Sequence, residues 1–369
     1  MTKIRPIATI VTPTRAGPLH RLIGSVDIDG QGTSHPSLTH VDPFIFLDCA
    51  TIPIHGQPTF GRHPHRGHSI VTVILNGQVS SWDSFTNVTT TISAPASYWV
   101  NAGSGIFHDE VTVVPDETDR KQHTSIFQFW IGVQDQDRYQ KPTVYCDTNL
   151  KTEPLLDAQQ TNIIGTIRYH VRYDDNPTNK DQTISTTTTT TTTSSSSSSS
   201  SIQTPHPIII ALVQQHANTT CHFPIPVTHG GCIINLNGSD VMIDGTPVHG
   251  PADTPPTVCG KTPSHPLDVL VFDIQEENHH QHHHHHHQDG DDNRNEKDVI
   301  EITTSTKGPA TYLLCMGERM KDVWYKKLVA NGTVIAASPE EVRAIAIQAE
   351  DCAKRGHETG IFAPFGIIE

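Results

Sequence analysis

The sequence predicts an all-β protein made of two β-barrels, followed by one helix near its C-terminal end. Short runs rich in β-branched residues alternate with turn residues over residues 61–133, and similar runs return between residues 163 and 317. The chain has 369 residues, which is enough for two domains that each bury a hydrophobic core. A helix start signal follows at residue 338.

Four side chains suited to metal binding lie at the two ends of residues 61–110. His63 and His65 form one pair, and His108 and Glu110 form the other. Residues i and i+2 of a β-strand project from the same face, so each pair can point into a barrel. If the two strands are neighbours, three imidazoles and one carboxylate converge. This donor set suits a divalent first-row metal such as Fe(II), Mn, Ni or Cu.

The residues between these pairs are predicted to form strands. Residues 69–75 are mostly β-branched or aliphatic, and Asn76-Gly77 is a strong hairpin signal. Further short strands are predicted at 78–84, 88–92 and 97–100. This density of short strands favours a small barrel.

Two other histidines near the motif are not predicted to bind the metal. His68 lies three residues after His65, so a continuous strand would point it to the opposite face. His55 lies in a loop and is expected to be solvated. Among the aromatic residues, Trp99 and Phe107 are expected in the core, with stacking beside a planar substrate as the alternative.

The motifs resemble the pirin family of the cupin superfamily. The resemblance rests on HPHRGH at 63–68, the Asn-Gly hairpin, AGSGIFHDE at 102–110, and DPFIFLD at 42–48. It implies a bicupin with one iron, as Fe(II), in the N-terminal barrel, although other divalent first-row metals remain open. The family's ligands fall on His63, His65, His108 and Glu110. One departure is Ser69, where pirins usually have glutamate.

The predicted domains are a loose tail over residues 1–19, an N-terminal cupin domain with the metal site over 20–140, and a C-terminal cupin-like domain over 141–369. The second half lacks paired metal-ligand motifs, so its barrel is predicted to be structural and metal-free.

Two inserts in the second domain, at about 181–203 and 276–298, are predicted to be disordered. The first contains eight threonines and then eight serines, and the second contains eight histidines between His279 and His287. Such tracts bury too little apolar surface to offset their conformational entropy. The histidine tract is expected to bind metals only opportunistically in solution.

The C-terminal helix is predicted from its capping residues. Ser338 is the expected N-cap, Pro339 the first helical residue and Glu341 the reciprocal capping glutamate. Val342, Ile345 and neighbouring alanines form the apolar stripe, and Gly356 is the expected C-cap.

The net charge of −14 argues against direct binding to nucleic acids. No apolar run approaches the length of a membrane span, so no membrane association is expected. The seven scattered cysteines indicate reduced thiols, and we expect a cytoplasmic or nuclear monomer.

Two functions agree with the resemblance. The first is an enzyme similar to quercetin 2,3-dioxygenases, in which Glu110 removes a proton from a planar flavonol-type substrate. The alternative is an iron-dependent transcriptional co-regulator that binds protein partners without turnover. No sequence feature decides between these two functions.

Overall fold

The structure is a computed structural model of the full chain. It describes residues 7–11, 14–16, 19–24, 41–53, 61–113, 123–172, 207–237, 239–248, 269–272, 297–320, 322, 324–362 and 365. Nearly all of both predicted inserts, and His55, lie outside the described residues. Within the described residues, no helix is both long enough and apolar enough to cross a membrane.

The described strands of the first half are β1 Ile7–Val11, β2 Thr14–Ala16, β3 Leu19–Ile23, β4 Phe44–Pro53, β5 His63–Arg66, β6 His68–Asn76, β7 Gln78–Asp83, β8 Thr89–Ser93, β9 Ala96–Asn101, β10 Ile106–Thr112, β11 His123–Gly132 and β12 Thr143–Asp147, with the short helix α1 Asp135–Arg138. Those of the second half are β13 Thr152–Leu156, β14 Ile163–Arg172, β15 Ile208–Gln215, β16 Thr220–Pro226, β17 His229–Asn235, β18 Val241–Ile243, β19 Thr246–Val248, β20 Val269–Phe272, β21 Lys297–Thr304, β22 Ala310–Glu318, β23 Tyr325–Val329 and β24 Gly332–Ala336, followed by helix α2 Pro339–Thr359.

The prediction of two β-barrels is confirmed. In the first barrel, a sheet ordered β12-β9-β6-β11-β4-β3-β2 and a sheet ordered β23-β24-β5-β10-β7-β8 share a core. That core joins Ile70 and Trp130 of one sheet to Val79 and Ile106 of the other. The predicted strand at 69–75 and its Asn76-Gly77 hairpin are present as β6, the turn and β7, with Gly77 at φ 79°.

The second barrel pairs a sheet ordered β1-β20-β17-β22-β15-β14-β13 with a smaller sheet ordered β16-β21-β18-β19. The interior is apolar, with Phe272, Ile300 and Tyr312 fully or almost fully buried. A separate cluster joins the two barrels, because Phe127 and Phe129 of the first pack in one group with Ile210 and Leu313 of the second. The two seven-stranded sheets are therefore held together by a shared apolar layer.

The N-terminal residues correct one prediction. Residues 1–19 were expected to be a loose tail, but β1 pairs antiparallel with β20, with Ile7 opposite Phe272 and Val11 opposite Val269. Pairing with the edge of this sheet satisfies backbone groups of β20 that would otherwise be unpaired. Residues 7–11 therefore lie in the sheet of the second barrel, although they precede the strands of the first barrel in the sequence.

The C-terminal residues return to the first barrel. Hairpin β23–β24 pairs with β5 through a parallel contact in which Thr333 lies opposite His65. Helix α2 packs on this hairpin, and its apolar face shares a cluster with Phe107 of β10. Residues 325–362, which the predicted boundaries assigned to the second domain, thus complete the first barrel. The predicted insert at 276–298 also overlaps β21, which begins at Lys297.

Helix α2 begins as predicted and ends later. The Ser338 hydroxyl accepts a hydrogen bond from the Glu341 backbone N–H at 3.1 Å, and Pro339 is the first helical residue. The predicted C-cap, Gly356, is instead buried inside the helix, where a Cβ would lie 2.4 Å from the Phe362 ring. Gly360, at φ 75°, is the actual left-handed C-cap.

Candidate metal centre

Three predicted ligands converge inside the first barrel. Strands β5 and β10 are antiparallel neighbours that place His63 opposite His108 and His65 opposite Ile106. The nitrogen atoms that His63, His65 and His108 offer lie within 4.8 Å of one another, and all three side chains are buried. The i, i+2 spacing on β5 therefore directs both of its histidines to the same face as His108.

The hydrogen bonds of the rings leave nitrogen atoms free for a metal. His63 Nδ1 lies 2.7 Å from the Gly61 carbonyl oxygen, so it carries the proton and leaves Nε2 with a lone pair. His63 Nε2 and His108 Nε2 are 2.9 Å apart. His65 Nε2 is buried without a hydrogen-bond partner among the described residues. Because a buried unpaired nitrogen is costly, this arrangement fits a bound cation.

The surroundings favour neutral imidazoles, which is the form that binds metals. Burial lowers the pKa of His63, although the Gly61 carbonyl and the charge of Asp109 oppose the effect. Burial lowers the pKa of His65 and His108 well below the usual histidine range, and the neighbouring histidines lower both further. Protons therefore compete weakly with a metal at this centre.

His68 lies beside the cluster, although it is not among the three converging histidines. His68 Nε2 is 3.2 Å from His65 Nδ1, and His68 Nδ1 is 2.9 Å from the Arg66 carbonyl oxygen. The carbonyl requires the proton on His68 Nδ1, so His68 Nε2 accepts from His65 Nδ1–H. This chain of hydrogen bonds presents the lone pair of His65 Nε2 to the cluster.

Sequence reasoning missed this contact because it treated residues 63–69 as one strand. Gly67 interrupts the strand with a φ of 75°, so the alternation of faces does not continue from His65 to His68. A Cβ at Gly67 would lie 2.3 Å from the Ile335 carbonyl oxygen of β24. The glycine in the HPHRGH motif was the signal that could have indicated the turn.

Replacing His68 by phenylalanine is expected to weaken metal binding about 10- to 100-fold, the usual effect of losing a partner of a ligand histidine. Phenylalanine keeps a ring of similar size but cannot accept the His65 proton. Competition with a chromophoric chelator, in variants that lack residues 277–295, measures the affinity without the histidine tract. His68→Gln, which retains an acceptor, should recover part of the affinity. Equal affinities of wild type and His68→Phe would exclude the positioning role.

Glu110, the fourth predicted ligand, does not join the group of three histidines. Its carboxylate accepts hydrogen bonds from the Thr72 hydroxyl at 2.5 Å and from the Gln128 side-chain amide. Desolvation raises the pKa of Glu110 to about 7, with the charge of Asp109 adding to the rise and the two hydrogen bonds opposing it. Its role as a metal ligand remains a prediction.

A cavity of about 360 Å³ opens beside the centre and is lined by both His63 and Glu110. The Phe46 and Trp130 rings in its wall are stacked, with centroids 3.9 Å apart, and the Trp130 ring meets the His65 ring edge-on at 5.2 Å. This volume lies in the range of small-molecule sites. An aromatic ligand could therefore reach the metal centre through an apolar chamber.

The aromatic residues of this wall differ from those considered for substrate stacking. Trp99 and Phe107 are buried in hydrophobic clusters, as the core interpretation predicted, and Phe107 packs on Phe362 and Phe365. Trp130, which lines the cavity, follows Gln128 by two residues of β11 and therefore shares its face. The polar residue on that face was the available sign that it lines a cavity.

The two arginines of the motif flank the first pair of histidines and fix it to other parts of the fold. Arg62 lies over the Trp82 ring at 3.9 Å and donates to the Gly360 carbonyl oxygen at 3.3 Å. Arg66 is buried, and its guanidinium faces the Tyr139 ring at 5.7 Å. Both side chains anchor the first ligand strand to C-terminal elements or to the loop after β11.

Two barrels with a histidine cluster inside the first define a bicupin. Residues 25–131 match the family model described as Pirin. The sequence match to this family is confined to the first domain. Sequence relatives in the curated collection align over 32–44% of their own length, which is less than half of each relative.

Relatives and solved structures agree on this fold. A pirin-like protein of Caulobacter vibrioides is 31% identical over 140 residues, which cover 35% of this chain and 44% of the relative. A quercetin 2,3-dioxygenase structure from Acinetobacter baumannii has a TM-score of 0.60 at 14% identity, covering 96% of this chain and 99% of that one. The bacterial pirin YhhW of Escherichia coli, in complex with nickel(II), has a TM-score of 0.50 at 14% identity. The match covers 85% of this chain and 100% of that one.

Proposed function

We propose that this protein is a metal-dependent dioxygenase that acts on flavonol-type, quercetin-like substrates. The observation that carries the proposal is the position of the three-histidine cluster, which adjoins a cavity with an aromatic wall and a carboxylate. The name of the Acinetobacter baumannii structure supports the same chemistry. His63, His65 and His108 would hold the metal, and Glu110 is proposed as the fourth ligand.

Iron as Fe(II) is the proposed metal because the resemblance to the pirin family implies it, and three imidazoles and a carboxylate suit a divalent first-row ion. When bound, such an ion supplies Lewis-acid activation of a substrate hydroxyl and a site for oxygen chemistry. The same donor set also accepts nickel, manganese and copper, so the proposal for iron is tested separately from the proposal for the reaction.

The chain's own residues have two tasks in this reaction. Glu110 is positioned to take the proton of the substrate hydroxyl, because its carboxylate lines the cavity and is fixed by Thr72 and Gln128. The apolar walls, which include Phe46 and Trp130, would hold the flat ring system and exclude water from the reacting atoms. Both tasks depend on residues from the two sheets of the first barrel.

The test is turnover of a flavonol panel, measured as oxygen consumption and as loss of flavonol absorbance. The protein is loaded separately with iron, nickel, manganese, copper and redox-inert zinc, with metal content measured for each sample. Oxygen-dependent ring opening with iron and not with zinc supports the proposal. Absence of turnover with every metal contradicts the enzyme function, whereas faster turnover with another metal corrects only the proposed cofactor.

A further inference from the structure

The C-terminal hairpin β23–β24 forms one side of the cavity beside the metal centre. Lys326, Leu328 and Asn331 of this hairpin line the cavity together with Trp130 and Glu110. The hairpin is held against the ligand strand, because Thr333 of β24 pairs with His65 of β5. It lies outside residues 25–131, which are the residues that match the family model. Its side chains are therefore a feature of this chain beyond the matched domain.

Among the described residues, two cationic side chains line this part of the cavity, and the charge of the first is neutralised by an ion pair. The Arg21 guanidinium forms a two-pronged ion pair with the Asp48 carboxylate, through Nε to Oδ1 and through Nη2 to Oδ2 at 3.0 Å. It also lies over the Phe46 ring at 4.0 Å from the centroid. Asp48 is almost fully buried, so this pair is a fixed part of the wall.

Lys326 is the second cation, and it has no acidic partner among the residues that the structure describes. Its side chain is exposed, yet the protein around the ammonium group lowers its pKa, and the positive charge of Arg21 lowers it further. A positive charge near the cavity thus lacks the counter-charge that Arg21 has.

We propose that Lys326 binds an anionic oxygen substituent, such as a carboxylate, on a planar aromatic substrate whose rings occupy the apolar part of the cavity. This inference rests on the proposed function, because it assigns one end of the same substrate chamber. An anion beside Lys326 supplies the missing counter-charge, while Phe46, Ile126 and Trp130 contact the rings. The hairpin would thereby select acidic aromatic molecules over neutral ones of the same shape.

The neighbouring residue provides a matched control for this inference. Lys327 is also exposed, but it does not line the cavity, because adjacent residues of a strand project to opposite faces. Lys327→Gln therefore removes the same charge from the same hairpin without changing the cavity wall. Comparing it with Lys326→Gln separates a contact with the ligand from a general change in surface charge.

The experiment measures the dissociation constants of 2-naphthoate and 2-naphthamide for the metal-loaded full chain by calorimetry. The two probes share a ring system and differ in charge. We expect Lys326→Gln to weaken naphthoate binding by at least about 5-fold, as the loss of a charge-assisted hydrogen bond predicts. Naphthamide binding should change by less than about 2-fold, since a neutral amide gains little from the ammonium. Lys327→Gln should leave both constants close to those of the wild type.

Four results would overturn the inference. The first is an equal loss of affinity for both probes in Lys326→Gln, and the second is an equal loss of naphthoate affinity in the two variants. The third is no binding of either probe to the wild type at millimolar concentration. The fourth is a wild-type naphthoate constant in Lys326→Gln, which would indicate that naphthoate is bound only through the metal. Because the readout is binding, the anion contact can fail while flavonol turnover is present, and it can stand when turnover is absent.

Discussion

Replacing His63 and His108 together by alanine is expected to remove about one equivalent of tightly bound metal per chain. The two side chains come from different strands, and their Nε2 atoms lie 2.9 Å apart. Removing both leaves His65 as the one remaining member of the converging group. A single imidazole cannot hold a divalent ion against solvent at micromolar concentration, so the loss should be close to complete.

The measurement requires that the histidine tract be removed from every sample. Deleting residues 277–295 takes out the eight histidines between His279 and His287 and leaves β21, which begins at Lys297, intact. Metal content after dialysis is then determined by mass spectrometry. His222→Ala with His229→Ala is the matched control, because it removes two histidines from strands of the second barrel. Equal metal content in the two double variants would refute the site.

The cluster of three histidines could be predicted from the sequence because its information is local. The spacing of His63 and His65 places both side chains on the same face of β5. The Asn76-Gly77 turn connects β6 to β7, and β7 pairs with β10. The start of helix α2 was equally local, since Ser338 and Glu341 lie within one turn. In each case, a few neighbouring residues and ordinary backbone geometry determine the outcome.

The cavity and the pairing partners of β1 and β24 could not be predicted in this way. β1 pairs with a strand more than 250 residues later, and β24 pairs with β5 across a similar separation. No local pattern selects these partners, because any exposed sheet edge can accept a strand. The place of Lys326 in the cavity wall depends on that second pairing. The role of a residue that is placed by long-range strand pairing can therefore be recognised only when the fold is known.

Replacing Glu110 by glutamine is expected to slow flavonol turnover by at least about 100-fold at equal metal occupancy, while the substrate still binds. Glutamine is nearly isosteric, and its amide oxygen can still accept the hydrogen bonds from Thr72 and Gln128. It cannot accept a proton at neutral pH, so the general-base contribution is lost. Substrate affinity, measured separately in the absence of oxygen, should stay within a few-fold of the wild-type value.

Asp109→Asn is the matched control for Glu110→Gln, because it removes a carboxylate from the adjacent position of β10. The charge of Asp109 influences the pKa of both His63 and Glu110, yet Asp109 does not line the cavity. A large loss of turnover in Glu110→Gln and a small one in Asp109→Asn would identify proton removal rather than net charge. If Glu110→Gln keeps pace with the wild type, Glu110 is at most a ligand. If the wild type turns over no flavonol, the co-regulator function is favoured, and the Glu110 carboxylate would instead tune the redox potential of the metal.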